Sequence, residues 1–159
     1  MNIRPAVETD ADVLSAVAMR AKAHWGYSSL ALESWRTELT ISKQDVRSRP
    51  VFVAMVGGEV AGFYSLRPSE GSWELDHLWV VPELMRKGIG RALLSHALET
   101  AAGAGAVEVT VDADPNAERF YLECGAVRRG MIAAPLSDQP YRARPQLIFA
   151  NLTSPASRS

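Results

Sequence analysis

The sequence predicts a single α/β domain built on a mostly antiparallel sheet with one parallel crossover. Three observations carry that prediction. Two apolar β runs flank a two-glycine turn, and a strand, a helix and a strand follow one another later in the chain. The length of 159 residues, 47% hydrophobic and 22% charged, suits one core. Residues 2–152 are expected to form that domain, and the polar tail 153–159 to be disordered.

In chain order, residues 2–7 are β-tolerant, and Thr9 with Asp12 three residues later has the form of a capping box. Leu14, Val17, Ala18 and Ala21 then fall at helical spacing, predicting a first amphipathic helix from about Asp10 to His24. An aromatic loop from Trp25 to Ser29 separates it from a shorter helix over Leu32 to Leu39. From Val51 the period becomes that of a strand. Val51 to Val56 and Val60 to Leu66 make a hairpin about Gly57 and Gly58, and Trp73 to Val81 alternates until Pro82 stops it. In that third strand Trp73, Leu75, His77, Trp79 and Val81 share one face, and Glu74, Asp76, Leu78 and Val80 the other.

A helix from Gly88 to Gly103 and a strand through Val107, Val109 and Val111 complete the crossover. Asp114 as N-cap and Pro115 at the first position open another helix, which Gly125 closes. Strands are expected near Ala126–Ala133 and Gln146–Asn151, separated by a proline-rich loop.

Composition excludes several classes of function. Seventeen basic against eighteen acidic side chains leave a net charge of −1, so no basic stripe marks a nucleic-acid or anionic-lipid partner. The first ten residues lack a basic stretch followed by an apolar run, and no apolar segment is long enough to span a bilayer. A soluble, cytoplasmic protein with no membrane partner is expected. One cysteine, Cys124, and three histidines, His24, His77 and His96, do not suggest a structural metal, and none is expected.

The segment from Pro82 to Leu94 places Gly88 and Gly90 among Arg86, Lys87 and Arg91 at the start of a helix that directly follows a strand. A helix start carries unpaired amides and roughly half a positive charge, so a pyrophosphate docks there, provided no Cβ blocks the backbone. A P-loop would need Lys followed by Ser or Thr after the glycine, and a dinucleotide fingerprint would need a small residue at Leu93; neither fits. A simple strand-to-helix turn is the structural alternative.

This segment resembles the signature of the GNAT family of N-acetyltransferases: Gln or Arg, two residues, Gly, one residue, then Gly or Ala. Met85 stands at the Gln or Arg position, with Arg86 or Lys87 as a substitute cation. Asp114 to Ala126 is similar to the family's second motif, in which Asn and Ala open a helix and Phe, Tyr and Gly close it; here these are Asn116, Ala117, Phe120, Tyr121 and Gly125.

The resemblance implies a sheet that splays into a V and holds acetyl-CoA in the gap as cosubstrate. Pantetheine would pair with backbone near Leu78, Trp79 and Val80, and the amides of Lys87, Gly88, Ile89, Gly90, Arg91 and Ala92 would hold the pyrophosphate, with Asn116 nearby. It also implies direct attack of a primary amine on the thioester. An alkyl ammonium of pKa near ~10.4 is about one part in a thousand deprotonated at neutral pH, so a base must help. Glu74, Asp76 and His77 are the candidates.

Tyr121, matching the family's tyrosine, is the expected general acid at the sulfur. A phenol near ~10 is a weaker acid than a thiol near ~8.5, a gap of roughly 2 kcal/mol, so donation coupled to collapse of the intermediate suits it best. Similar enzymes place the acceptor beside the loop between the first two helices and beside 135–145, which nominates His24, Trp25, Tyr27 and Tyr141. The resemblance leaves open a homodimer through the late strands, and a non-catalytic acyl-CoA sensor is the rival function. The alternatives for single residues are a packed Tyr121, a first-turn Asn116, a solvated strand face for Glu74 and Asp76, a hydrogen-bonded core His77 and a small aromatic cluster at His24, Trp25, Tyr27 and Tyr141.

Overall fold

The computed structural model describes residues 1–152; the tail 153–159, expected to be disordered, lies outside the described residues. Seven strands form one mixed sheet in the order β1-β2-β3-β4-β5-β7-β6. Two compact units divide the chain, one of Met1–Arg67 with His77–Ala97, the other of Pro68–Asp76 with the chain from Leu98 onward.

In the first unit, β1 (Asn2–Pro5) pairs antiparallel with β2 (Val51–Val56), and β2 with β3 (Glu59–Arg67). Gly57 and Gly58 take φ of 59° and 79°, the two left-handed residues that a tight hairpin turn needs. Helix α1 (Ala11–Ala23) turns Leu14, Val17 and Ala18 inward, where they meet Leu39, Ile41, Val51, Val53, Phe63 and Val81. Each large side chain buried there is worth about 1.5–3 kcal/mol relative to exposure.

The start of α1 is secured differently from the Thr9 and Asp12 expectation. Asp10 accepts the Val7 amide at 2.8 Å and both ends of the Arg4 guanidinium at 2.8 and 3.1 Å. These bonds, the Arg4 one foremost, hold the Asp10 carboxyl below its usual range.

The expected second helix is two, α2 (Ser29–Ser34) under a Ser28 cap and α3 (Arg36–Leu39), broken at Trp35. Trp35 leaves helical geometry with its ring edge-on to Tyr27 at 4.7 Å and 4.4 Å from the Lys22 ammonium. A further helix, α4 (Lys43–Ser48), opens on a reciprocal box: Ser42 Oγ accepts from the Asp45 amide and Asp45 accepts from the Ser42 amide.

A bulge in β3 sets Gly62 opposite Ala54 while Val60 faces Met55. A Cβ built on Gly62 would lie 2.5 Å from the Trp79 carbonyl oxygen, 3.2 Å from Val80 Cα and 3.2 Å from Leu93 Cδ1. The Val81 amide donates to Ala61 at 2.8 Å, so backbone meets backbone along this line.

In the second unit, the first residues of β4 (Ser72–Val80) run parallel to β5 (Glu108–Asp112), with Ser72, Trp73 and Glu74 opposite Glu108, Val109 and Thr110. Helix α5 (Ile89–Gly103) lies between them in sequence, as a parallel pair requires. β5 pairs antiparallel with β7 (Ala143–Phe149), and β7 with β6 (Val127–Ala133).

β7 begins before the expected Gln146 and tolerates Pro145. The β5 ladder ends at Asp112 opposite Gln146; one step on, Pro145 accepts the Ala113 amide at 3.0 Å and has no amide to return, so the proline sits where the ladder stops. The expected helix from Asp114 starts as a 3₁₀ turn at Pro115–Ala117 and becomes α6 (Glu118–Glu123), with Gly125 at φ 104° closing it.

Gly62→Ala is expected to lower the unfolding free energy by about 1–3 kcal/mol through overpacking against backbone that cannot rotate away. The urea midpoint checks this, and an unchanged midpoint rejects the close approach.

Candidate functional site

The turn ahead of α5 belongs to the first unit. Pro82–Leu84 makes a 3₁₀ turn, Met85 is extended, and Arg86 and Gly88 both adopt left-handed backbone, φ 62° and 85°. Arg86 is a non-glycine residue in that region, a conformation that costs about 1–2 kcal/mol. A Cβ on Gly88 would meet nothing within 4 Å, so its glycine is required by the torsion and not by crowding.

The first intrahelical bond of α5 runs from the Ala92 amide to the Gly88 carbonyl at 3.0 Å. The amides of Ile89, Gly90 and Arg91 therefore precede the helical ladder at the positive end of a fifteen-residue helix. Ala92, expected among the phosphate-binding amides, instead closes the first turn. Arg86, Lys87 and Arg91 are exposed, while Ile89 is buried and anchors the turn. Arg20 of α1 reaches Glu83 at 2.7 Å and braces the 3₁₀ turn.

Along β4 only Leu75 is fully buried; Glu74, Asp76, His77, Leu78, Trp79 and Val80 are half-buried. His77 and Trp79 share a face, as the alternation predicts, and the Trp79 indole Nε1–H donates to His77 Nδ1 at 3.0 Å. The Phe63 ring lies 5.9 Å from the imidazole. Accepting the indole proton occupies Nδ1, so a neutral ring carries its own proton on Nε2 and has no lone pair left for an amine. Glu74 holds the last position of the parallel ladder, opposite Thr110, and Asp76 follows it on the same face.

In the second unit, Asp114 caps the 3₁₀ turn. Its Oδ1 accepts the Asn116 backbone amide at 2.8 Å and the Asn116 side-chain amide at 3.0 Å. Asn116 is thus both a first-turn residue and exposed. Tyr121 is 7% exposed, edge-on to Phe120 at 5.3 Å and to Phe149 at 6.5 Å. Burial, with the neighbouring Cys124 and Asp114, pushes its phenol well above the ordinary tyrosine value.

The four aromatic residues expected at the acceptor are not alike. His24 and Trp25 are exposed and in edge contact at 6.0 Å. Tyr27 is 8% exposed and packs under Lys22 against Trp35, so it is core and not an acceptor wall. Tyr141 is 97% exposed.

Arg142 is not among the residues the sequence nominates; its side chain is 4% exposed and its guanidinium lies 3.8 Å from Asp114. An arginine in a proline-rich loop gives no sequence signal of burial. Among the described residues no group of three or more His, Cys, Asp and Glu is placed to hold a metal ion, and no helix is long and apolar enough to cross a membrane.

The family model described as Acetyltransferase (GNAT) family matches residues 17–126. Among solved structures, the PaiA N-acetyltransferase from Thermoplasma acidophilum in complex with coenzyme A is 21% identical, with a TM-score of 0.75 over 94% of this chain and 98% of that one. The yncA protein from Salmonella typhimurium, solved with its cofactor acetyl-CoA, is 18% identical with a TM-score of 0.71 over 94% and 93%. The ribosomal-protein-alanine N-acetyltransferase from Brucella melitensis is 25% identical, with a TM-score of 0.70 over 94% and 99%. No curated relative matches the chain. A family model running from within α1 to the close of α6, on a fold of this strand order, decides the assignment: the chain belongs to the GNAT acetyltransferase family.

Proposed function

We propose that this chain is an acetyl-CoA-dependent N-acetyltransferase in which residues 2–152 act as one catalytic domain. The observation that carries the reading is the double left-handed turn at Arg86 and Gly88, which starts α5 with the amides of Ile89, Gly90 and Arg91 ahead of the helical ladder. That arrangement suits a pyrophosphate, and Arg86, Lys87 and Arg91 add attraction of about 1 kcal/mol or less each, being exposed. The coenzyme A and acetyl-CoA bound in PaiA and yncA support the same cosubstrate here. Dependence on acetyl-CoA also favours a cytoplasmic location, where that cosubstrate is made.

The amine attacks the thioester carbonyl directly in a ternary complex. The nitrogen–carbon bond forms, the carbon–sulfur bond breaks, the ammonium proton passes to a base and the thiolate takes a proton. With the His77 lone pair taken by the indole, Glu74 and Asp76 are assigned the base role, directly or through water. Tyr121 supplies the proton at sulfur. Burial keeps its hydroxyl protonated far into the alkaline range. Trp79 and Val80 offer backbone to pantetheine, and Asn116 stands by the coenzyme. Exposed His24, Trp25 and Tyr141 are the acceptor contacts.

The late strands support a homodimer. β6 ends the strand order, runs seven residues without proline and exposes Val127, Met131 and Ile132 at 63%, 49% and 45%. Its arginines are neutralised, Arg128 by Glu118 and Arg129 by Glu108. Such an edge pairs with its own copy about a two-fold axis.

Thiol release from acetyl-CoA, measured with n-butylamine, spermidine, an aminoglycoside and a peptide beginning with alanine, is expected to rise with at least one amine. Gly88→Val should weaken coenzyme A binding at least tenfold by calorimetry, about 1.4 kcal/mol, in protein that still unfolds cooperatively. Absence of both binding and turnover of every acyl-CoA rejects the reading, and tight binding without amine-dependent release makes the chain a sensor.

Tyr121→Phe is expected to lower kcat about 10²-fold with coenzyme affinity unchanged. Because burial raises the phenol, Tyr121 stays a donor as pH rises, so wild-type kcat should not fall between about pH 7 and 9.5 on its account. Full turnover by the phenylalanine variant at every pH removes the assignment. Sedimentation should give a dimer for the native chain and a monomer for Ile132→Glu; a monomeric native chain rejects the β6 interface.

A further inference from the structure

The loop between β6 and β7 is closed by a backbone pair, the Ala134 amide donating to the Arg142 carbonyl at 3.0 Å. Arg142 reinforces it: Nη1 donates to the Ala134 carbonyl at 3.1 Å. The same guanidinium turns its other end, Nη2, toward Asp114 Oδ2 at 3.8 Å, with both side chains almost wholly buried. The second oxygen of that carboxylate, Oδ1, holds the Asn116 backbone and side-chain amides. Charges removed from water in this way are retained only where each is satisfied, and no buried polar side-chain atom among the described residues lacks a partner.

We infer that Arg142 is a positioning residue for acetyl transfer: through Asp114 it fixes the start of the segment carrying Asn116 and Tyr121, and through Ala134 it fixes the base of the loop carrying Tyr141. The inference rests on the proposed acetyl transfer and extends it to a residue outside the coenzyme and acceptor contacts proposed above.

A guanidinium presents separate nitrogens on a rigid plane, so one residue satisfies a carbonyl on one side and a carboxylate on the other. A lysine ammonium carries the same charge at a single point and does not hold both partners at these positions together. Arg142→Lys therefore keeps a cation beside the buried Asp114 while breaking the link between the loop base and the cap. Loosening the cap shifts the Tyr121 hydroxyl, and misplacement on that scale costs up to about 10²-fold in rate.

The test uses the full chain with acetyl-CoA and n-butylamine. Arg142→Lys is expected to lower kcat about tenfold and to leave coenzyme A affinity within a factor of two. In a Tyr121→Phe background the same substitution should cost nothing further in kcat, because its effect passes through that hydroxyl. A merely structural role would lower both backgrounds alike.

Amide exchange supplies a readout that needs no turnover. The Asn116 amide, bonded to Asp114, should exchange at least fivefold faster in Arg142→Lys, while amides in the β2–β3 hairpin do not change. Arg142→Met, which strands the buried carboxylate, should fold less stably than Arg142→Lys. Native kcat and native Asn116 exchange in Arg142→Lys overturn the inference, as does an equal loss of kcat in the Tyr121→Phe background. Accelerated Asn116 exchange without turnover of any amine keeps the clamp and rejects the enzyme reading instead.

Discussion

One contact without side chains governs the first unit. Gly62 lets β3 lie directly on the end of β4, and the same hydrogen-sized gap receives Leu93 of α5. The segments on both sides of the turn at residues 82–88 are thus seated on a single glycine. Ala61, displaced by the bulge, takes the Val81 amide and fixes the point where the strand gives out. Proline at 82 then ends extended structure, and the left-handed residues at 86 and 88 reverse the chain into the helix. The direction in which the first amides of α5 point follows from packing several residues away from them.

His77 and Tyr121, the two rings weighed for acid–base roles, differ in what they are bonded to. His77 is committed: its Nδ1 already accepts the Trp79 indole proton, and Phe63 flanks the ring. Tyr121 is buried more deeply, yet its burial favours the neutral phenol, the form able to donate. Desolvation works against a charged base and in favour of a neutral acid. In the proposed reaction this division would leave proton removal to the half-buried Glu74 and Asp76 and proton delivery to the enclosed Tyr121.

Much of this was legible because periodicity reports burial. The α1 face, the Gly57–Gly58 hairpin, the third strand and the crossover follow directly from spacing, and the two motifs fall where a turn and a helix start require glycine, aspartate and proline. What escaped was set by tertiary contact. Trp35 breaks a helix that its neighbours would continue, and its ring meets Tyr27 and Lys22, which lie outside that helix. Tyr27 sits in a loop of glycine and serine that reads as surface, yet it is core for the same reason. α4 carries its own capping box at Ser42 and Asp45, but Val46 is the only strongly apolar residue in its six, so periodicity was silent. Arg142 has no local signal; its burial exists only because Asp114 comes from another part of the chain.

The departure at Met85 acquires a physical account from the backbone. Met85 is extended and half-buried, so the position that the family fills with Gln or Arg is turned partly inward here. The next residue, Arg86, is exposed and held in the left-handed region, where a side chain costs about 1–2 kcal/mol. Glycine would occupy that position without strain, as it does at 88, so retaining arginine there requires a compensating gain. A cation beside the open end of α5 provides one, since it adds to the helix's own positive end wherever an anion is held. On the proposed reading the motif's charge would stand one residue later, at Arg86, where the backbone is left-handed.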